Sequence, residues 1–222
     1  MKKTGYFILA LILIFSLASC RKITTYYSSY YSDGTEIEYL EDEENVTAEI
    51  KDNKVIYITG GKIYTLNHGE SIFEHTLGLY TKKAEHLYYD IEQEILRLCN
   101  EERAKVGVPP LEWCEDAYYF TNIRAKEYYV KNSHTRPNNK KWNSVYTQNG
   151  VILFNYKGRL RIAENLTSCT GYKNENLAAK IVELWMNSEE HRQAILNPEF
   201  KKTAIAVYER KTAHFAAQHF FG

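Results

Sequence analysis

The sequence predicts an α+β protein in which a small antiparallel sheet is enclosed by helices. Two patterns carry that prediction. From Ala84 onward apolar residues recur at helical spacing, and the closing stretch "KKTAIAVYERKTAHFAAQHFFG" alternates about a turn in the manner of a hairpin. A third observation sets these elements behind a leader: Lys2 and Lys3 precede an apolar run from Tyr6 to Leu17 that stops at Cys20.

The leader reads as an export signal, because its apolar run is shorter than the roughly 20 residues of a membrane span and small residues precede a cysteine. Residues 1–19 are therefore expected to be removed. Leu17-Ala18-Ser19-Cys20 resembles a bacterial lipobox, which makes Cys20 the lipidation site and the protein an exported, membrane-anchored lipoprotein. Residues 20–82 form the next division. They open with "TTYYSSYYSDG", a stalk by composition, and continue through an acidic patch into β-branched and tyrosine runs. Breaks at Asp52-Asn53 and Gly60-Gly61 predict two or three short strands, too small a unit to stand alone.

Residues 83–222 make the main domain. Leu87, Ile91, Ile95 and Leu98 predict a first helix over Ala84 to Lys105, ended before Pro109-Pro110. A second is expected from Leu111 toward Val130, and "NSHTRPNNKKWN" is a loop. "RLRIAENLT" is a strand within an otherwise irregular stretch. A third helix spans Glu175 to Asn187, with Leu177, Ile181, Leu184 and Trp185 on one face. The next begins inside "WMNSEEHRQAIL" and stops at Asn197-Pro198. A terminal hairpin turning near Arg210-Lys211 completes the order.

Charge and cysteine content narrow the function. Lys and Arg total 28, as do Asp and Glu, so no basic field exists of the kind nucleic-acid binding needs, and nucleic acid is not an expected partner. With Cys20 assigned to lipid, Cys99, Cys114 and Cys169 remain. Cys99 and Cys114 flank a short connection and form a candidate disulfide worth about 3 kcal/mol; the alternative is three buried thiols.

Within "WMNSEEHRQAIL", Ser188 suits a helix cap and Glu189 and Glu190 suit the first turn, where the helix dipole favours carboxylates. His191 shares a face with Ala194 and Ile195 and points inward. His134 sits in a polar loop with no apolar pattern to account for it. Glu164 follows Ile162-Ala163 on the expected strand, where burial requires a partner. These three are candidates for a polar network or a divalent-metal site.

The ordered motifs "CNEERAKVGVPPLEW", "RAKEYYVKNSHTRP", "AENLT", "ELWMNSEEHRQAILNPEFKKTAIAV" and "AAQHFFG" resemble the CAP superfamily, which unites cysteine-rich secretory, antigen 5 and pathogenesis-related 1 proteins. The bacterial SCP-domain branch is the nearer match, and the resemblance covers roughly Leu87 to Gly222. It implies an α-β-α sandwich with a cleft lined by two histidines and two acids. His134 then matches the first cleft histidine, Glu164 the acid of the "EN" strand and His191 the second histidine. Ser188 stands where eukaryotic relatives carry the other acid, which leaves three clear positions. The resemblance implies a binding module for a small molecule, lipid, wall component or protein partner. Two further readings are a metal-assisted hydrolase, with zinc on His134 and His191 and Glu164 as ligand or base, and a structural envelope component with a vestigial cleft. No nucleophile stands beside a base in a recognisable arrangement, and no "HExxH" helix occurs.

Overall fold

The computed structural model describes residues 21–22, 47–51, 54–59, 62–154 and 160–222. The expected signal segment, Cys20, the stalk opening and the acidic patch lie outside the described residues. Strand β1 (Arg21–Lys22) pairs with β2 (Thr47–Lys51), followed by β3 (Lys54–Thr59) and β4 (Lys62–Asn67) in an antiparallel meander. Val55, Tyr57 and Leu66 of this meander bury against Ile72, Ile152 and Phe154, which is how so small a sheet is held on the domain.

Helix α1 (Ile72–Tyr80) stands in a region that shows little helical pattern in sequence. Its signal is local: Ser71 caps it by accepting from the Glu74 backbone N–H at 3.3 Å, and Ser71-x-x-Glu74 has capping-box spacing. Helix α2 (Tyr89–Lys105) begins later than Ala84, and Leu87, expected on its buried stripe, is 68% exposed. The cause is His86, whose ring stacks on Tyr118 at 3.5 Å and reaches Glu92 at 3.2 Å and Glu115 at 2.9 Å, so the chain before Tyr89 is held off the helical path. Leu111 does not open the next helix either. Backbone N–H groups of Glu112 and Cys114 bond to the carbonyls of Lys201 and Thr203, each at 2.8 Å, drawing β5 (Glu112–Trp113) into the sheet. Helix α3 (Glu115–Val130) follows, then the short α4 (Ser144–Thr147), β6 (Ile162–Thr170), α5 (Asn174–Asn187), α6 (Glu189–Leu196), β7 (Lys202–Arg210) and β8 (Ala213–Phe221).

The central sheet has the order β5-β7-β8-β6, antiparallel except for the β5–β7 pair. One face carries Ile205, Val207, Ala216 and Phe220 against α2, α5 and α6, with Trp185 fully buried among them. The other carries Ala204 and Phe221 against Phe120 and Tyr146, beside Ala206 and Ala217 against Tyr118 and Ala125 of α3. The result is the α-β-α sandwich that the sequence predicts.

The candidate Cys99–Cys114 disulfide is not formed; Cys99, Cys114 and Cys169 are all free thiols. Cys99 is buried in the cluster under α2 and α5, whereas Cys114 packs with the cluster under α3. The connection between them passes through the sheet at β5, which leaves the thiols on opposite faces.

Candidate functional site

Strand β6 places Glu164 on the α3 face of the sheet, where register sets it directly opposite His219 of β8. Its side chain is 0% exposed, so the carboxylate needs partners, and Arg124 of α3 provides them. Arg124 donates from Nε to Oε2 at 2.7 Å and from Nη2 to Oε1 at 3.1 Å. His134 Nδ1 lies 2.9 Å from Oε1 and His219 Nε2 lies 3.2 Å from Oε2. Burial opposes ionisation of Glu164, but the Arg124 charge and the bonds from His134, His219 and Arg124 outweigh it and hold the carboxyl well below its ordinary range.

An ionised carboxylate accepts only, so both histidines donate to it, which assigns N–H to His219 Nε2 and to His134 Nδ1. His219 Nδ1 then accepts from the Tyr146 hydroxyl at 2.6 Å. Thr121 Oγ1, 3.0 Å from the same nitrogen, is a donor to the Ala117 carbonyl. Burial keeps His219 below its ordinary imidazole pKa despite Glu164, so the ring stays neutral. Trp142 lies over it at 4.9 Å.

The loop carrying His134 is tied at its base. Arg124 Nη2 donates to the Ser133 carbonyl at 3.1 Å, and Arg136 forks onto Glu127, which Arg124 Nη1 also reaches at 2.8 Å. His134 thus has Nδ1 committed to Glu164 while its side chain remains 42% exposed, leaving the Nε2 flank for a ligand. His191, in the first turn of α6, is half-buried. Burial and the neighbouring His134 lower its pKa against the opposing pull of Glu190, so it too favours the neutral form. Asn165, next to Glu164 on β6, donates to the His191 carbonyl at 3.1 Å and fixes α6 to the sheet.

Of the residues named from sequence, Glu164 and His134 are in direct contact and His191 is electrostatically coupled to His134. Glu189 and Glu190 are exposed first-turn charges. Ser188 occupies the N-cap position with extended backbone, but its hydroxyl makes no cap bond; its carbonyl accepts from Arg192 N at 2.9 Å instead. Arg124, His219, Tyr146 and Trp142 are site residues that the sequence patterns did not single out. His219 could have been found by parity, since it lies on the inward face of a predicted strand. Among the described residues, no three His, Cys, Asp or Glu side chains form a metal-ligand group.

Residues 96–221 match the family model described as the cysteine-rich secretory protein family. The chain belongs to this family. It is 29% identical over 133 residues to the uncharacterized protein YkwD of Bacillus subtilis, a match covering 59% of this chain and 47% of that protein, so the chain spans about half the length of this curated relative. An extracellular protein containing an SCP domain from Bacillus anthracis is similar at 16% identity and a TM-score of 0.47, over 83% of this chain and 66% of that one. A cysteine-rich secretory protein from Staphylococcus aureus is similar at 14% identity and a TM-score of 0.42, over 86% and 64%.

Proposed function

We propose that this cysteine-rich secretory family protein is an extracytoplasmic lipoprotein, anchored through Cys20, that binds a small molecule, lipid, wall component or protein partner at the His134–His191 cleft without making or breaking bonds. The observation that supports it is the saturation of Glu164. Both carboxylate oxygens are occupied by Arg124 and the two histidines, and none of the side chain reaches solvent. Such a carboxylate is a positioning group: it orients His134 and stands as a poor general base or metal ligand. What faces solvent is the Nε2 edge of the His134 imidazole, whose Nδ1 is committed to Glu164, beside the half-buried His191, a pair of rings suited to hydrogen-bonding hydroxyl, amide or phenol groups.

The metal-assisted hydrolase reading fares less well with this donor set. His134 and His191 supply two nitrogens, one short of the three protein ligands of catalytic zinc sites, since Glu164 already holds Arg124.

Lipid vesicles and wall-glycan fractions incubated with the full chain test the proposal. Retention reduced at least tenfold by His134→Ala and by His191→Ala is expected, and equal retention by all three proteins would overturn it. Calorimetry with zinc near pH 7 separates the hydrolase reading: micromolar binding abolished by either substitution would favour a metal site over a metal-free cleft. For the anchor, Cys20→Ala should release the protein from membranes.

A further inference from the structure

On the face of the sheet opposite Glu164 and His219, three side chains lie in one register row across adjacent strands. Cys169 of β6 pairs with His214 of β8, and His214 pairs with Glu209 of β7. We propose that Cys169 and His214 form a buried two-donor site for a soft metal ion of the Cu(I) class, with Glu209 orienting the imidazole.

The observation that points to a ligand is His214 itself. Its side chain is 5% exposed, yet neither ring nitrogen has a hydrogen-bond partner among the described residues. Leaving a buried polar atom unmatched is costly, so the site calls for an occupant. Nε2 lies 4.0 Å from Glu209 Oε1, and the other Glu209 oxygen is held by the Tyr88 hydroxyl, so Glu209 is set on the β7 side of the ring. Nδ1 has no partner either, and the residue in register with His214 on the β6 side is Cys169. Directly opposed residues on one face carry Cβ atoms about 4.5–5.5 Å apart. A carboxylate behind one nitrogen and a metal on the other is the arrangement by which proteins fix a ligating histidine.

The donor set selects the metal. One thiolate and one imidazole are soft to borderline donors, and no third His, Cys, Asp or Glu completes the group among the described residues. Zinc requires more ligands, whereas Cu(I) is content with two. On binding, the Cys169 S–H bond breaks, a Cu–S bond forms and the proton leaves to solvent, with copper unchanged in oxidation state. Burial pushes the Cys169 thiol up and Lys180 only partly opposes it, so the metal itself must displace the proton.

The full chain, purified in detergent under anaerobic reducing conditions, should withdraw one equivalent of Cu(I) from a chromogenic chelator. Cys169→Ser and His214→Gln should each weaken that uptake at least tenfold, and Glu209→Gln about tenfold. Cys114→Ser should leave it unchanged. X-ray absorption of the loaded protein should report one sulfur and one nitrogen at copper. Because Cys169→Ser is nearly isosteric, its thermal midpoint without metal should match wild type, so loss of uptake reports the donor. Uptake by Cys169→Ser equal to wild type, or its loss in Cys114→Ser, would overturn the proposal.

Discussion

Replacing Arg124 with methionine removes a buried cation while leaving a buried anion, and the consequence can be worked out from the pair's geometry. The guanidinium donates twice to Glu164, and both side chains are 0% exposed. Breaking such a pair by removing one partner costs about 3–5 kcal/mol. At about 2–4 °C per kcal/mol for a chain of this size, the thermal midpoint should fall by about 6–20 °C. The pH dependence carries the sharper test. In the wild type, Glu164 has a folded pKa below its unfolded value of about 4.3, so its contribution is full above that pH and is lost as pH falls through the folded pKa. His219 acts in the same direction from higher pH. Its folded pKa is lowered, so below about 6.5 the unfolded state takes up the proton first and stability declines. In Arg124→Met, burial of Glu164 is no longer offset by a cation, so its pKa rises and that of His219 beside it rises as well. Protonation of either group then relieves the variant, and the gap to wild type should narrow as pH falls from 7 to 5. Urea unfolding followed by tryptophan fluorescence measures both effects. A loss under 1 kcal/mol at pH 7, or a gap that stays constant between pH 7 and 5, would refute the claim that Arg124 neutralises Glu164.

Arg103 is fully buried and donates to the carbonyls of Pro109, Ile195, Asn197 and Phe200, so Arg103→Met should cost at least about 3 kcal/mol in urea unfolding; a loss below 1 kcal/mol would contradict its role as a clamp between α2 and α6. Lys211 turns the terminal hairpin with φ 59°, a left-handed conformation costly for a residue with Cβ, and Lys211→Gly should raise stability by about 0.5–1 kcal/mol in the same assay. Because Cys99 and Cys114 are free, added reductant should leave the unfolding midpoint unchanged, whereas a bridge between them would add about 3 kcal/mol that reductant removes.

The elements that sequence periodicity located well are those whose partners lie along the same face. Helix α5 and the β7–β8 hairpin agree with their patterns to within a residue or two, since Leu177, Ile181 and Trp185 on one hand and Ile205 and Val207 on the other are buried as their spacing requires. The discrepancies occur where a distant contact decides. Periodicity extends α2 back to Ala84, but His86 prefers Tyr118 and two carboxylates. Propensity starts a helix at Leu111, but β7 offers Glu112 and Cys114 two backbone acceptors. The short connection between Cys99 and Cys114 suggested a bridge because sequence separation does not reveal that the chain crosses a sheet between them.

The candidate cluster was legible in sequence as Glu164 and His134, which the structure brings into contact, and illegible in what holds them there. Nothing about "IRAK" distinguishes Arg124 from a solvated helix charge until Glu164 is known to face it. Strand parity would have gone further with the two histidines of "AHFAAQHFF". His214 and His219 are five positions apart, an odd number, so a single regular strand must send them to opposite faces. The structure separates them accordingly: His219 meets Glu164 and Tyr146 beneath α3, while His214 shares a register row with Glu209 and Cys169 on the face beneath α2 and α5. One strand therefore contributes to the Glu164 cluster on one face and to the proposed Cys169–His214 site on the other, and the two share no side chain. A substitution at either histidine should leave the other site's ligand behaviour unchanged, and coupling between them would mean that the strand itself shifts in register or twist.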